Sequence, residues 1–394
     1  MRKILYLLFS VALLSACTSK NGEREPSVPD GGASDAIVGE GNEQAEAGKV
    51  TAGEWRDLDN WLFWSNLMNT NADFALYSDY WSLYTNNRVA VRVTAEDGTP
   101  QRDVPVRLVR LPQEGSDTPT VLYQARTDNR GETNLWVGLT QHQSAVDSAT
   151  LQLIVNDVDC PSPVCVTHWG DSVKWNVCTT SVVPTTDIDI AFIVDATGSM
   201  YDEIDFLKAD LTNIINAVAQ ANTSATIRTA ALFYRDEGDE YLSRESDFSS
   251  DLSVTTAFIA KQQADGGGDY PEAVHTALEN GLQKLSWRES NCIRLAFMLL
   301  DAPPHHNDGV ISSLKTTIPQ YAQHGIRIIP IAASGVDKPT EFFLRFTAMA
   351  TDGTYVFITN HSGIGDSHIE ASVGEYQVEL LNELIIRLIN QYME

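Results

Sequence analysis

Ile188-Asp-Ile-Ala-Phe-Ile-Val194 runs directly into Asp195-Ala-Thr-Gly-Ser-Met200. The first run is apolar except for Asp189, the pattern of a strand buried on both faces. A helical pattern follows Met200. Residues 195–200 are therefore the turn where a buried strand hands over to a helix. One carboxylate and two hydroxyls, from Asp195, Thr197 and Ser199, alternate along this turn, with Gly198 between the hydroxyls. Alternation lets the three oxygens face one point. Hard oxygen donors suit Mg²⁺, Mn²⁺ or Ca²⁺, and two neutral hydroxyls leave such an ion electrophilic. The rival reading is a plain helix cap made by Asp195 and Ser199.

Two later segments strengthen the first. Gly266-Gly-Gly-Asp-Tyr-Pro-Glu272 is a glycine-rich loop that opens a helix. Leu295-Ala-Phe-Met-Leu-Leu300 reads as a second buried strand, ending in Asp301-Ala-Pro-Pro-His305. Three loops at strand ends, in this order, match the rule that open α/β sheets bind ligands beyond the carboxyl ends of their strands.

These residues resemble the metal-ion-dependent adhesion site of von Willebrand factor type A domains, usually written Asp-x-Ser-x-Ser. The resemblance covers roughly residues 186–394. The wording of the motifs, with Tyr234-Arg235-Asp236 among them, is similar to the branch found beside alpha-kinases. No kinase motif and no phosphate-binding Gly-x-x-x-x-Gly-Lys loop occurs. The resemblance implies a divalent cation, Mg²⁺ first with Ca²⁺ or Mn²⁺ as alternatives. Its ligands would be Asp195, Thr197, Ser199, Asp269 and Asp301. Thr197 stands where the family has Ser, and Asp269 where it has Thr. Three carboxylates would bind a cation tightly and make it less avid for an acidic ligand. A decayed, metal-free site is the alternative within the family.

From 186 onward, strands and helices alternate. Strands are expected at Ile188–Val194, Thr226–Tyr234, Leu295–Leu300, Ile326–Ile331 and Thr354–Ile358. Helices are expected at Tyr201–Ala219, Ser253–Gln262, Pro271–Leu285, Val310–Gln323, Lys338–Met349 and Gly374–Gln391. This predicts an α/β fold with a doubly wound, mostly parallel, Rossmann-like sheet. Gly325 has the place of a helix C-terminal cap. Asp202 and Glu203 begin the first helix, where they complement its dipole or shape an acidic rim.

Residues 85–182 read as an antiparallel sandwich. Runs near Val89–Val93, Val104–Leu111, Val121–Ala125, Asn134–Leu139 and Leu151–Val155 alternate apolar and polar positions. Thr127-Asp-Asn-Arg-Gly131 resembles the hairpin of Ig-like or carboxypeptidase-regulatory-like modules of bacterial surface proteins. Pro105 suits a strand start. Between 54 and 84 lie Trp55, Trp61, Trp64, Phe74, Trp81 and other aromatic residues. Their spacing is partly helical, so they are read as packing at the domain junction rather than as a sugar-stacking or membrane-interface surface.

Residues 1–16 have the form of a secretory signal: Arg2-Lys3, an apolar run to Leu14, then Ser15-Ala16 before Cys17. Leu-Ser-Ala-Cys resembles the bacterial lipoprotein box, which implies acylation at Cys17. Thr18 replaces the Asp of inner-membrane retention, which favours the outer membrane of a Gram-negative cell envelope. Residues 17–53 are rich in Gly, Ser, Glu, Ala and Pro and read as a lipidated tether. The chain carries 27 Lys plus Arg against 53 Asp plus Glu, a formal charge of −26, which disfavours nucleic acid and anionic lipid surfaces. Of the remaining cysteines, the expected pairs are Cys160–Cys165 and Cys178–Cys292; a zinc site is the weaker rival.

The domain reading is thus signal (1–16), tether (17–53), aromatic segment (54–84), sandwich (85–182) and metal domain (186–394). The functional expectation is a non-enzymatic envelope lipoprotein that captures a protein ligand presenting an acidic residue. A metal-dependent hydrolase using Asp301 and His305, and a scaffold with a purely stabilising ion, are the alternatives.

Overall fold

The computed structural model describes residues 47–112, 118–160, 163–182, 187–361, 363 and 368–394. The signal, Cys17 and the tether up to residue 46 lie outside the described residues. In chain order the elements are β1 (Thr51–Trp55), α1 (Trp61–Thr70), α2 (Ala72–Trp81), β2 (Asn87–Thr94), β3 (Pro105–Arg110), β4 (Thr120–Arg126), β5 (Glu132–Trp136), β6 (Leu151–Val155), β7 (Val158–Asp159), β8 (Thr167–His168) and β9 (Trp175–Thr179). Then come β10 (Ile188–Asp195), α3 (Ile204–Ala221), β11 (Ile227–Tyr234), β12 (Ser243–Ser249), α4 (Leu252–Ile259), α5 (Val274–Gln283) and β13 (Ile293–Leu300). The chain closes with α6 (Asp308–Gln323), β14 (Ile326–Ala332), α7 (Lys338–Ala350), β15 (Tyr355–Ile358), β16 (Glu379–Leu380) and α8 (Leu381–Met393).

The large sheet has eight strands in the order β12-β11-β10-β13-β14-β15-β1-β16. β11, β10, β13, β14 and β15 run parallel, and every residue of β10 and β13 is buried. That is why these strands read as continuous apolar runs. The sheet is mixed, however: β12 pairs antiparallel with β11, and β1 pairs antiparallel with both β15 and β16. Neither antiparallel strand was visible in the periodicity. β12 is polar and half exposed, as edge strands are. β1 lies in the segment read as tether; Val50 and Ala52 are in fact buried, so the tether reading fails for residues 50–53.

Residues 87–179 are β-rich, in two four-stranded sheets, β5-β2-β8 with β9 also on β2, and β4-β3-β6-β7. They are not purely antiparallel, because β9 runs parallel to β2. The Thr127–Gly131 turn is not a hairpin between paired strands either: β4 and β5 belong to different sheets. Asp128 Oδ1 accepts the N–H groups of Arg130 and Glu132 to shape this arch. Gly131 is required there, with φ +70° and an added Cβ only 2.3 Å from the Val93 carbonyl oxygen.

The aromatic segment packs inward. Trp61, Trp64, Phe74 and Trp81 are buried. Trp64 and Phe74 meet Phe342 of α7, Trp61 meets Trp136, and the Trp81 indole donates to the Pro339 carbonyl. The guanidinium of Arg345, fully buried on α7, donates twice to Asp57 and once to Glu341. Gly325 has φ +68° and follows α6, as its capping role requires.

The cysteine pairing differs from expectation. Cys160 is bonded to Cys178, with Cα atoms 6.0 Å apart, within the span a disulfide bridges. Cys178 stands opposite Val93 on β9, and the N–H of Cys160, just beyond β7, donates to Leu153. The bond therefore staples one β sheet to the other. Cys165 is a free, exposed thiol. Cys292 is free and buried at the start of β13, its thiol pushed up to about 12 by burial and by Asp189.

Asp210 on α3 gives a test of the N-terminal junction. It is buried, its Oδ1 accepts the Gly48 N–H at 2.7 Å, and its Oδ2 has no partner. Burial pushes this carboxyl up to about 6 from 3.8. The folded state therefore holds its proton more tightly than the unfolded one. The stabilisation is complete below about pH 4 and is lost as pH rises through about 6, amounting to roughly 3 kcal/mol. Asp210→Asn is expected to melt higher than wild type at pH 8 and about equally at pH 4. Equal melting at both pH values would show that the carboxyl is not strained.

Candidate metal centre

Asp195 is the last residue of β10, and Asp301 follows β13, the neighbouring parallel strand. Parallel pairing puts both carboxylates at the same end of the sheet. Both residues are buried. Asp195 Oδ1 accepts the N–H of Thr197 at 2.9 Å and its hydroxyl at 2.7 Å. The Thr197 and Ser199 hydroxyls are 3.3 Å apart. Asp195, Thr197 and Ser199 therefore converge along the turn, and Asp301 emerges beside them from the next strand.

The loops are fixed by backbone bonds. Ala196 N–H donates to Tyr234 O, Gly198 N–H to Gly266 O, and Asp265 N–H to Ala196 O. The buried Arg235 guanidinium donates to the carbonyls of Ala196 and Gln263, so its brace acts chiefly on backbone rather than on a carboxylate. Asp239 Oδ2 accepts from Asp236 N–H and Gly267 N–H. The glycine run is a steric necessity. Gly266 and Gly267 have φ +81° and +71°, and a Cβ at Gly266 would lie 2.4 Å from Asp239.

Asp269 does not join the group. It is exposed, and Glu272 takes the buried place from the same loop. Glu272 N–H donates to Pro303 O, which ties the second loop to the third. A Cβ at Gly267 would lie 2.9 Å from Glu272 Oε1 and 3.4 Å from Thr197 Cβ, so Glu272 and Thr197 flank one glycine. The backbone of Glu272 is docked on the third loop, pairing as a bridge with Pro304, while Asp269 precedes that docking. The motif Gly-Gly-Gly-Asp-Tyr-Pro-Glu contained Glu272, but the family position favoured Asp269.

The electrostatics follow from burial. Desolvation raises the carboxyls of both aspartates, helped by the charge of Asp236 at Asp195 and of Asp195 at Asp301; the Thr197 and Tyr234 hydroxyls oppose the rise at Asp195, and the Ser199 hydroxyl opposes it at Asp301. Glu272 is pushed up to about 9 by burial, then by Asp195, Asp236 and Asp301. Asp195 Oδ2, Asp301 Oδ1 and Glu272 Oε2 are buried without a hydrogen-bond partner. Unpaired buried carboxylate oxygens are costly and call for a ligand. Among the described residues no three His, Cys, Asp or Glu side chains stand together as a complete ligand set. The oxygen set here, two carboxylates with two hydroxyls and a third carboxyl within electrostatic reach, fits a hard divalent cation.

The remaining expected residues are placed elsewhere. His305 Nε2 lies 2.7 Å from Asp236 Oδ1, so its contact is with Asp236 rather than Asp301. His306 stacks on Tyr80 at 3.8 Å and bonds its carbonyl, tying α2 to the third loop. Glu203 is not on an exposed rim: it is buried at the N-cap of α3 and accepts the Ser334 N–H, with His368 Nε2 at 3.3 Å. A cleft of 1220 Å³, lined by Trp55, Arg130, Tyr376 and Arg387 among others, lies by the amino end of β15 and includes none of these loop residues.

With this geometry in hand, comparison with known proteins is specific. Residues 189–334 match the family described as von Willebrand factor A domain. This part of the chain is a von Willebrand factor A domain. A putative ariadne-like RING finger protein of Acanthamoeba polyphaga mimivirus is 35% identical over 119 residues, 30% of this chain and 11% of that protein. The alpha-protein kinase vwkA of Dictyostelium discoideum is 29% identical over 143 residues, 36% of this chain and 22% of that protein. The chain thus spans about a tenth to a fifth of the length of these relatives. Among solved structures, BatB of Bacteroides thetaiotaomicron aligns with a TM-score of 0.36 and 12% identity, over 52% of this chain and 98% of that one. The pilus adhesin SpaC of Lactobacillus rhamnosus GG aligns with a TM-score of 0.39 and 10% identity, over 54% and 30%.

Glu272 gives the test of this arrangement of the von Willebrand factor A domain loops. Glu272→Gln replaces a carboxyl that burial and its neighbours disfavour with a neutral isostere. In chelated protein at pH 8 it is expected to be more stable than wild type by about 1 kcal/mol or more. Asp269→Asn, at the exposed position, is expected to leave the melting temperature unchanged. The reverse ranking would return the ligand role to Asp269.

Proposed function

We propose that the von Willebrand factor A domain captures a protein ligand through a divalent cation held by Asp195, Thr197, Ser199 and Asp301, with Glu272 beside them. The observation that carries this reading is the set of buried carboxylate oxygens without partners at the strand ends. Mg²⁺, or Ca²⁺ or Mn²⁺ in its place, would supply a Lewis-acid centre to which a partner's acidic side chain adds a ligand. Asp195 uses one oxygen to orient Thr197 and keeps the other free. Arg235 and the glycine loop hold the backbone so that the hydroxyls need not reorganise on binding. His305 is engaged by Asp236 rather than by Asp301, which favours binding over hydrolysis as the proposed role.

The same reading makes the protein an envelope lipoprotein, acylated at Cys17 and held to the outer membrane, with the β-rich region as a spacer. Two experiments test it. Adding Mg²⁺ or Ca²⁺ to chelated protein is expected to raise the melting temperature, by mass action worth about 2.7 kcal/mol at a hundredfold excess over Kd. Asp195→Ala is expected to abolish that response while the fold survives. Absence of any cation response in wild type, by melting or calorimetry, would leave only a scaffold. For the anchor, Cys17→Ala is expected to abolish lipid labelling and move the protein from the membrane to the soluble fraction. Continued membrane fractionation would count against lipidation.

A further inference from the structure

We propose that the partner of the metal site is basic immediately around its anchoring carboxylate. This inference rests on the cation reading above and adds the partner's charge. The surface that frames the site is acidic. Asp265 donates its N–H to the carbonyl of Ala196, next to Asp195, while its side chain is 82% exposed. Its nearest cation is Arg235 at 3.8 Å, and that guanidinium already serves two backbone carbonyls. Asp269 is exposed on the same loop as Asp265, and Glu237 is exposed on the loop between β11 and β12. Glu240 is also exposed but meets Arg244 at 2.9 Å. Independent of this rim, the buried oxygens of Asp195, Asp301 and Glu272 lack partners, which marks a ligand position beneath it.

The charges decide what can approach. Asp195 and Asp301 around one divalent ion already leave no positive surplus. A lone acidic residue from a partner would then meet a neutralised site behind a negative rim, on a chain of net charge −26. Coulomb repulsion acts over about one Debye length, some 8–10 Å at physiological salt. Lysine or arginine within about three positions of the anchor reverses its sign over that range. Tyr201, 79% exposed just beyond the Asp195–Met200 turn, adds a ring face on which a partner ammonium or guanidinium can rest.

The test uses the full chain, immobilised in Mg²⁺, and a random dodecapeptide library displayed on phage. Bound phage are released with EDTA at about 50 mM salt, where the Debye length exceeds 10 Å. The expected clones carry one Asp or Glu with Lys or Arg close on either side. A selected synthetic peptide is then measured against Asp265→Asn/Glu237→Gln. The double variant is expected to bind it about tenfold more weakly at low salt and equally at about 0.5 M salt. Its Mg²⁺ affinity by calorimetry is expected to match wild type. EDTA-released clones without basic neighbours, or unchanged peptide binding by the double variant at low salt, overturn the basic-partner inference and leave the cation reading intact. No EDTA-released clones at all would overturn both.

Discussion

Two aspartates end neighbouring strands of one buried sheet, and the rest of the site is built around the cost of that. β10 and β13 are paired in parallel, so Asp195 and Asp301 emerge side by side at the same end. Neither is solvated; burial raises both carboxyls, and the charge of Asp195 raises that of Asp301 further. Thr197 shares one oxygen of Asp195, Ser199 acts on Asp301, and the Arg235 guanidinium locks the backbone beside them. One oxygen of each aspartate still has no protein partner. Buried carboxylate oxygens left unpaired are costly, and that cost is what the proposed cation would relieve.

The surrounding architecture serves that rigidity. The third loop is held from two sides, by His305 on Asp236 and by His306 stacked on Tyr80. Through Tyr80 and Trp81 the aromatic segment reaches the rim of the site, and through Arg345 and Asp57 it is tied to α7. On the far side of the sheet β1 is paired with β15 and β16, with Leu381 N–H donating to Val50 O at the start of α8. The N-terminal segment is thus part of the sheet and not an appendage to it. The β-rich region joins through Tyr123 on the Ala350 carbonyl and through Asp352, which accepts from Thr133 and Asn134.

Charge gives the site a second level of selection. In the proposed reading, carboxylate and hydroxyl oxygens inside would hold a hard cation, and exposed acids on the neighbouring loops would select what may reach it. The two act over different ranges, contact distance for coordination and a Debye length for steering, so they are separable by salt.

Much of this was legible in the chain itself. Strands buried on both faces announce themselves as apolar runs, so β10, β11, β13, β14 and β15 stood out, and their carboxyl ends located Asp195, Thr197, Ser199 and Asp301. Local steric demand was legible too: Gly325, Gly131 and the run from Gly266 stand where the backbone needs a positive φ or close approach. Partnerships between distant segments were not. β1 has too few residues and too mixed a pattern to reveal that it inserts beside β15, more than three hundred residues away in sequence. The choice of Cys178 for Cys160 depends on which sheets face each other, and that of Glu272 over Asp269 on where the second loop docks against Pro303 and Pro304. Periodicity reports the environment of a residue along its own element. Which residue fills a shared space is decided by packing among elements, and only the tertiary structure contains that.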